Sequence, residues 1–324
     1  MRRIEHWGRF AAGLILSVLL LSPFAVQAQT WPQRPVKFII TLGAGSGVDI
    51  TARMFADRLS KKWGQPVVVE NRPGGDGIVA ITAFLSANDD HVLLFTPAST
   101  FTAHPYLHEH LPYDPKALGP IARVSNTLVA IAVPATSKAQ NIKELLDMAR
   151  ASPGKLNWAS ATGTNEFLFA GYLKENGLQM AKVPYKNTVE ALNDLAESRI
   201  DMYIGAYAIV RAQAANGKVR ILALTNRVHV PSLNIPNVTD AGVPGLAFDG
   251  LVGLFGPQSM PIELRERIAA DMKAVAQDPD VVTKLTATGQ VIAPGTAAEF
   301  SKAVAEQRAD VDAVGRTLGV KPSK

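Results

Sequence analysis

Short apolar segments alternate with amphipathic ones along this chain, and this alternation is the strongest constraint on its fold. Residues 36–40 (VKFII) are a short β-branched run, residues 49–63 have helical spacing of apolar positions, and residues 65–71 (QPVVVEN) are a second apolar run. The same order recurs in residues 78–97, 141–161 and 188–205. We therefore expect an α/β protein with largely parallel sheets that carry helices on both faces.

The first 28 residues have the parts of a secretory signal peptide. Arg2, Arg3 and Arg9 precede an apolar run from Phe10 to Leu21, and residues 26–28 (VQA) supply small side chains before a cleavage site. The apolar run is shorter than the roughly 20 residues that a spanning helix needs. We predict that residues 1–28 are cleaved off and that the mature protein is soluble in the periplasm.

Composition excludes several classes of function. The chain has no cysteine, so it has no disulfide, no thiolate metal site, no lipid-attachment thiol and no cysteine nucleophile. The net charge of +5 falls to +3 without the leader, because three arginines and one glutamate leave with it. Lysine and arginine are scattered, so we expect no nucleic-acid partner, whereas a weak positive field favours anionic solutes.

Length and two long apolar segments predict two lobes. Roughly 295 residues remain after cleavage, enough for two domains. Residues 121–135 and 246–257 are extended in character, as expected of strands that cross from one lobe to the other. We predict a discontinuous first lobe of residues 29–125 plus 249–324 and a second lobe of residues 126–248.

Loops rich in glycine and hydroxyl groups follow the predicted strands, at residues 41–47, 96–100, 160–165 and 185–188. In α/β sheets, ligands bind where the carboxyl ends of strands meet helix N-termini. Free N–H groups in the first loop and in the third would bind an anion such as a carboxylate. A glycine turn without ligand and plain helix capping by Asp49 remain as alternatives.

Other chemistries have weaker support. The glycines at 43, 45 and 47, with Glu70 after the next strand, imitate a dinucleotide fingerprint, but Val48 stands where its third glycine would fall. No G-x-S-x-G elbow occurs, so catalysis has no positive signal; a secreted hydrolase or lyase and a ligand-sensing adaptor for a membrane signalling partner remain as alternatives. We expect no cofactor.

Three histidines lie close together in residues 104–110 (HPYLHEH) and raise the possibility of a metal site. His104 and His108 have the i, i+4 spacing of a helical metal motif, but Pro105 and Pro112 argue against a regular helix that would hold them. We predict a solvated loop and no metal site.

Several segments together resemble the Bug-type substrate-binding receptors of tripartite tricarboxylate transporters, over nearly the whole mature chain. They are WPQRPVKFII (31–40), LGAGSGVDITAR (42–53), LSKKWGQPVVVENRPGG (59–75), LPYDP (111–115), PGKLNWASA (153–161), VPYKNTVEALNDLAESRIDM (183–202), NGKVRILALTN (216–226), PNVTDAGVPG (236–245) and GPQSMP (256–261). The resemblance implies a two-lobe periplasmic binding protein, a type II-like flytrap with its ligand cleft between the lobes. It also implies a monomer that binds a small carboxylate and delivers it to membrane transporter subunits.

The resemblance also implies which residues bind the ligand, in two loops and at the rim. They are Gly43, Ala44, Gly45, Ser46 and Gly47, with Asp49 holding that loop, then Ser99 and Thr100, then Ser160, Ala161, Thr162, Gly163 and Thr164, with Tyr185 and Lys186 at the rim. Many members place an acid and an amide at this point of the chain. This sequence has Gly205 and Ala206 there, so it lacks a group that would bind a ligand ammonium group. We therefore favour carboxylic acids without an amine, aromatic ones included, with Tyr207 and Phe167 as candidate contacts.

Overall fold

The strands and helices follow the predicted alternation, in a computed structural model that describes residues 31–160, 163–185, 188–227 and 229–323. The predicted leader, residues 1–28, lies outside the described residues. Numbered in chain order, the strands are β1 (Val36–Ile40), β2 (Val67–Asn71), β3 (Val92–Pro97), β4 (Leu118–Thr127), β5 (Val129–Pro134), β6 (Asn157–Ser160), β7 (Ala181–Lys182), β8 (Met202–Ala206), β9 (Val219–Leu224), β10 (Gly250–Pro257) and β11 (Gln290–Gly295). The helices are α1 (Gly47–Trp63), α2 (Ile78–Ala87), α3 (Ala98–Leu107), α4 (Ile142–Ala151), α5 (Gly163–Glu175), α6 (Thr188–Ala196), α7 (Tyr207–Ala215), α8 (Ile262–Ala276), α9 (Pro279–Ala287) and α10 (Ala297–Leu318). None of these helices is both long and apolar enough to cross a membrane.

Two sheets organise the chain from residue 34 onward. The first has the order β11-β4-β10-β3-β1-β2 and the second the order β7-β6-β8-β5-β9. We call each sheet, with the helices packed on it, a lobe. Some strands of the first lobe come before the second lobe in the sequence, and the others come after it. The residue boundaries predicted for the lobes remain predictions.

The prediction of largely parallel sheets is wrong, because both sheets are mixed. β1 pairs in parallel with β2 and β3, but β10 is antiparallel to β3 and β4, and β11 is antiparallel to β4. In the second sheet, β6 runs parallel to β7 and β8, and β5 runs antiparallel to β8 and β9. The cause is the crossing between lobes: a strand that re-enters a sheet from the other lobe has no βαβ connection, so nothing requires it to run parallel.

The crossing strands are close together in sequence. β4 ends at Thr127 in the first sheet, and β5 begins at Val129 in the second, with only Leu128 between them. β10 begins at Gly250 and pairs with Thr127, so it returns to the first sheet beside the outgoing strand. These strands place the carboxyl ends of β1 and β3 opposite the second lobe.

Each lobe has an apolar core of its own. In the first lobe the Phe255 ring lies 5.0 Å from the centroids of both Phe101 and Phe300. In the second, Trp158 packs edge-on against Phe169 at 4.8 Å. Buried aromatic pairs of this kind stabilise beyond the area that they bury. The rigid cores hold the loops that line the cleft.

The prediction of a loop at residues 96–100 is wrong in part, and the error bears on the site. β3 ends at Pro97 and α3 starts at once with Ala98, so Ser99 and Thr100 lie in the first turn of a helix. Pro105 lies inside α3, two residues before its end. Because the helix ends at Leu107, the missing proline N–H affects only the last turn.

Candidate functional site

A cleft of about 550 Å³ lies between the lobes. The first lobe lines it with the loop between β1 and α1, with residues 73–77 and with the start of α3. The second lobe lines it with the start of α5 and with Ala206, Ala208 and Ile209. Thr127, Gly250 and Gln290 of the crossing and edge strands contribute as well. Two of the loops predicted to bind the ligand therefore face each other across one space.

Asp49 holds the first loop in place. Its buried carboxylate accepts hydrogen bonds from Gly45 N (2.8 Å), from Asn71 Nδ2 (2.9 Å) and from Arg53 Nε (3.0 Å). Gly45 has a φ of +82°, in the left-handed region that glycine occupies without a steric penalty. The loop is thus fixed by one side chain that folds back onto the residue four positions before it.

These bonds decide which backbone donors of the loop can reach a solute. Gly45 N–H is used by Asp49, and Ser46 N–H donates to Gly43 O at 3.3 Å. Gly47 and Val48 are the first two residues of α1, so their N–H groups have no acceptor within the helix. Both residues line the cleft, as do Gly43, Gly45 and Ser46, whereas Ala44 does not. The donors available for an anion therefore include those of residues 47 and 48 and not that of Gly45.

The Asp49 carboxyl is stabilised in its charged form. Burial alone would raise its pKa, but hydrogen bonds from Gly45 N–H, Arg53 and Asn71 outweigh burial and hold the pKa below its usual value. Since the pKa is lower in the folded state than in the unfolded state, the stabilisation is present at neutral pH and is lost as the pH falls below about 4.

We expect Asp49→Asn to lower the melting temperature at pH 7 and to lower it less at pH 3, because below the usual carboxyl pKa the wild-type protein loses part of the same stabilisation. Asp57→Asn, on the exposed side of the same helix, should change the melting temperature little at either pH. Thermal unfolding of the three proteins at both pH values measures this. A difference between Asp49→Asn and wild type that stays constant with pH would contradict the assignment.

The second lobe presents the start of α5, where Gly163, Thr164 and Asn165 line the cleft. The Thr164 hydroxyl donates to Ser99 O at 3.3 Å, which joins α5 to the first turn of α3 across the cleft. Thr100 also lines the cleft. Ser160 is buried at the end of β6. The predicted site residues Ala161, Thr162 and Lys186 lie outside the described residues.

Two tyrosines predicted as ligand contacts do not line this cleft. The Tyr185 hydroxyl donates to Asp194 Oδ2 at 2.6 Å, and the Tyr207 side chain is buried in the core of the second lobe. From the start of α7 the cleft receives Ala206, Ala208 and Ile209 instead. The candidate contact Phe167 packs on Tyr106, with 5.5 Å between ring centroids. The direct contacts proposed for these aromatic residues remain predictions that the geometry does not favour.

The prediction of a solvated histidine loop is wrong for His104. This residue lies in α3 and is fully buried. Its Nδ1 lies 2.6 Å from the Tyr113 hydroxyl and its Nε2 lies 3.0 Å from Asp76 O. Burial lowers the pKa of His104 to about 4, so the ring is neutral at pH 7. The partners that bury His104 lie outside the HPYLHEH segment, so the spacing of histidines within the segment could not predict this environment.

Sequence reasoning missed several polar residues of the cleft, among them Asp76 and Gln290. Asp76 is the one charged residue in the described lining, and Gln290 is buried at its floor. Gln290 Nε2 donates to Thr127 Oγ1 at 2.9 Å, and Ser125 Oγ donates to Gln290 Oε1 at 3.0 Å. Because the described lining contains neither lysine nor arginine, it offers an anion backbone N–H, hydroxyl and side-chain amide donors.

Two α/β lobes that enclose such a cleft define the class of periplasmic solute-binding proteins, and solved structures agree. A periplasmic transporter structure superposes with a TM-score of 0.76 at 26% identity, covering 90% of this chain and 99% of that chain. An R. palustris protein solved with adipate superposes with a TM-score of 0.76 at 24% identity, covering 90% of this chain and 100% of that chain. The predicted two-lobe fold is confirmed.

Sequence comparison gives the family. The model of the tripartite tricarboxylate transporter family receptor matches residues 51–320. A UPF0065 protein of Bordetella bronchiseptica is 31% identical over 313 residues, 95% of this chain and 93% of its own length. Protein BugT of Bordetella pertussis is 26% identical over 272 residues, 82% of this chain and 83% of its own length.

This chain therefore belongs to the family of tripartite tricarboxylate transporter receptors, and the resemblance to Bug-type receptors is confirmed. The family consists of receptors rather than enzymes, which confirms the prediction of a binding protein. The fold and the family place the chain in the periplasm.

Proposed function

We propose that this receptor closes on a small carboxylate between its lobes and delivers it to the membrane subunits of a tripartite transporter. One observation carries the proposal: the starts of α1 and α5, from opposite lobes, line the same cleft. A helix N-terminus presents unpaired N–H groups and about half a positive charge, so it binds anions without a cationic side chain. Two of them that meet across a cleft bind an anion best when the lobes are closed.

The apolar part of the lining indicates the chemistry of the part of the ligand that carries no carboxylate. Leu42, Val129, Ile209 and Phe248 give the cleft apolar walls between the two helix starts. We propose an organic acid with an aliphatic or aromatic body and without an amine, since Gly205 and Ala206 replace the acid and the amide that many members have there. Asp76, the acid in the described lining, lies beside His104 and His108. The adipate bound by the R. palustris protein, an acid with an aliphatic body, supports this class of ligand.

Three further parts of the proposal concern the whole chain. Residues 1–28 are a cleaved leader, the lobes comprise residues 29–125 plus 249–324 and residues 126–248, and the receptor is a monomer. The strands of the two sheets support the lobe boundaries. The first sheet has its strands between residues 36 and 127 and between residues 250 and 295, and the second sheet has its strands between residues 129 and 224. N-terminal sequencing of protein isolated from the periplasm and light scattering of the purified receptor test the other two parts.

A thermal-shift screen followed by calorimetry tests the ligand class. The panel holds mono-, di- and tricarboxylates, benzoate, nucleotides, and adipate paired with 2-aminoadipate, which differ only in the amine. A ligand at 100 times its dissociation constant stabilises the folded state by about 2.7 kcal/mol, so binding is readily seen. We expect shifts from carboxylates and a weaker one from 2-aminoadipate than from adipate. Shifts from nucleotides alone would overturn the proposal in favour of the dinucleotide fingerprint.

A further inference from the structure

A cluster of potential metal ligands adjoins the cleft at Asp76, His104 and His108. One side-chain atom from each lies within 4.8 Å of the other two. Asp76 Oδ2 is 3.4 Å from His108 Nε2 and 3.7 Å from His104 Nε2. The two imidazole rings are nearly perpendicular, at 84°, with 4.9 Å between their centroids. The cluster therefore brings two imidazoles and one carboxylate to a single point at the cleft edge.

The separations suit a shared ion better than direct hydrogen bonds. An N–H···O hydrogen bond is usually about 2.7–3.2 Å long, and both carboxylate–imidazole separations are longer. Ligand atoms held about 2.0–2.2 Å from one ion in tetrahedral geometry lie roughly 3.3–3.6 Å from each other. The observed 3.4 and 3.7 Å are close to that spacing, and the ligand atoms of the two histidines lie within 4.8 Å of each other.

Tyr113 supplies the outer partner that a metal-binding histidine requires. Such a histidine donates its second ring N–H to a neighbouring acceptor, which fixes the ring and its tautomer. His104 Nδ1 lies 2.6 Å from the Tyr113 hydroxyl, which can accept as well as donate. With Nδ1 protonated, Nε2 carries a lone pair in place of the N–H that bonds Asp76 O. The ring then has to rotate away from that oxygen, which lies 3.0 Å from Nε2, to admit an ion.

The backbone holds Asp76 at this position in an uncommon conformation. Asp76 has a φ of +54° and lies between Gly75 and Gly77, which also have positive φ. Left-handed backbone at a residue with a side chain is uncommon and tends to occur at functional sites. A Cβ on Gly163 would lie 4.0 Å from Asp76 Oδ2, so the carboxylate lies where the two lobes approach each other. Asp76 lines the cleft and the two histidines do not, so the cluster adjoins the cleft on its Asp76 side.

We propose that Asp76, His104 and His108 bind one divalent first-row transition metal ion, such as Zn²⁺ or Co²⁺, at the edge of the cleft. Two imidazoles and one carboxylate are a ligand set that such ions prefer, and the set leaves coordination positions open. The cleft adjoins the cluster on its Asp76 side, where a carboxylate of the solute would complete them. This last step rests on the proposed function, whereas binding of the ion does not.

A second group of similar composition is explained without an ion and serves as the control. Asp89, Asp90 and His91 are adjacent in sequence and also lie within reach of one another. However, Asp89 pairs with Arg34 at 2.6 Å and accepts from His91 N–H at 2.8 Å. His91 Nδ1 lies 2.6 Å from Asp90 Oδ1, an ordinary hydrogen-bond length. This turn has its polar groups paired with each other.

Titration with Co²⁺, followed by its visible absorption and by calorimetry, tests the proposal. The protein carries no polyhistidine tag, is stripped with a chelator, and is titrated without any carboxylate. We expect one Co²⁺ per chain, with affinity lowered at least about 100-fold in Asp76→Asn and His108→Gln, since loss of an outer partner alone costs about 10–100-fold. Asp90→Asn and His110→Gln, which make matched changes outside the cluster, should bind as wild type does.

Tyr113→Phe tests the role of His104, whose own replacement could unfold the buried cluster. It should weaken Co²⁺ binding by about 10–100-fold and change the absorption spectrum. The site would be overturned if the wild type does not bind Co²⁺, or if Asp76→Asn and His108→Gln bind it with wild-type affinity. Because no carboxylate is present, failure of the carboxylate screen leaves this result unaffected. Adipate added to the Co²⁺ form should alter the spectrum, and an unchanged spectrum would overturn the step that places the solute on the ion.

Discussion

Gly47→Pro should weaken binding of the carboxylate that gives the largest thermal shift by about 10-fold or more relative to Gly47→Ala. Proline removes the N–H of the first residue of α1, a backbone donor of the loop that is available to an anion. A hydrogen bond to a charged group contributes about 1.5–3 kcal/mol, which corresponds to about 10- to 150-fold in affinity.

The alanine variant is the matched control, because it adds the same Cβ and keeps the N–H. In both variants the Cβ would lie 2.9 Å from Gln290 Nε2, at the end of a side chain that has to move. Proline is well tolerated at the first position of a helix, and Ser46 before it has the extended ψ of 155° that proline requires. Calorimetry measures both affinities. If they are equal, the helix start does not hold the carboxylate.

The first loop shows how far sequence reasoning reaches in this protein. Glycines between a strand and a helix predicted an anion-binding loop, and the loop lines the cleft. Which N–H groups are free depends on Asp49, whose carboxylate folds back to Gly45 N. Capping of the helix by Asp49 was one reading of the sequence, but its use of the Gly45 donor is a matter of side-chain geometry. A local pattern thus predicts the place of the loop and not its available donors.

Other errors have the same origin in contacts between distant parts of the chain. The contact predicted for Tyr207 remains a prediction, although its side chain packs in the core and Ala208 and Ile209 line the cleft. His104 was expected in solvent, and its partners Asp76 and Tyr113 lie outside the HPYLHEH segment. Gln290 reaches the cleft because β11 pairs with β4, a pairing across more than half of the chain that no local period predicts.

Among substitutions that add one methyl group, we expect Gly253→Ala to destabilise the folded protein most. Gly253 lies in β10, between Thr96 of β3 and Arg123 of β4. A Cβ at this position would overlap the Phe300 ring and would lie 2.5 Å from Ala122 O. Phe300 is fully buried and the carbonyl belongs to a paired strand, so neither can move without cost to the first lobe.

Overpacking of this kind costs about 3 kcal/mol, at the upper end of the usual range, and should lower the melting temperature by roughly 6–12 °C. Gly43→Ala is the control, because nothing lies within 4 Å of a Cβ there, and its melting temperature should match wild type. Phe300→Leu alone opens a cavity, but combined with Gly253→Ala it relieves one of the two overlaps. The double variant should therefore be more stable than the sum of the single effects by about 1 kcal/mol. If the two effects are strictly additive, the overlap is relieved by movement of the strand at Ala122 and not by movement of the Phe300 ring. The packing of α10 on β10 would then not determine which side chains fit at residue 253.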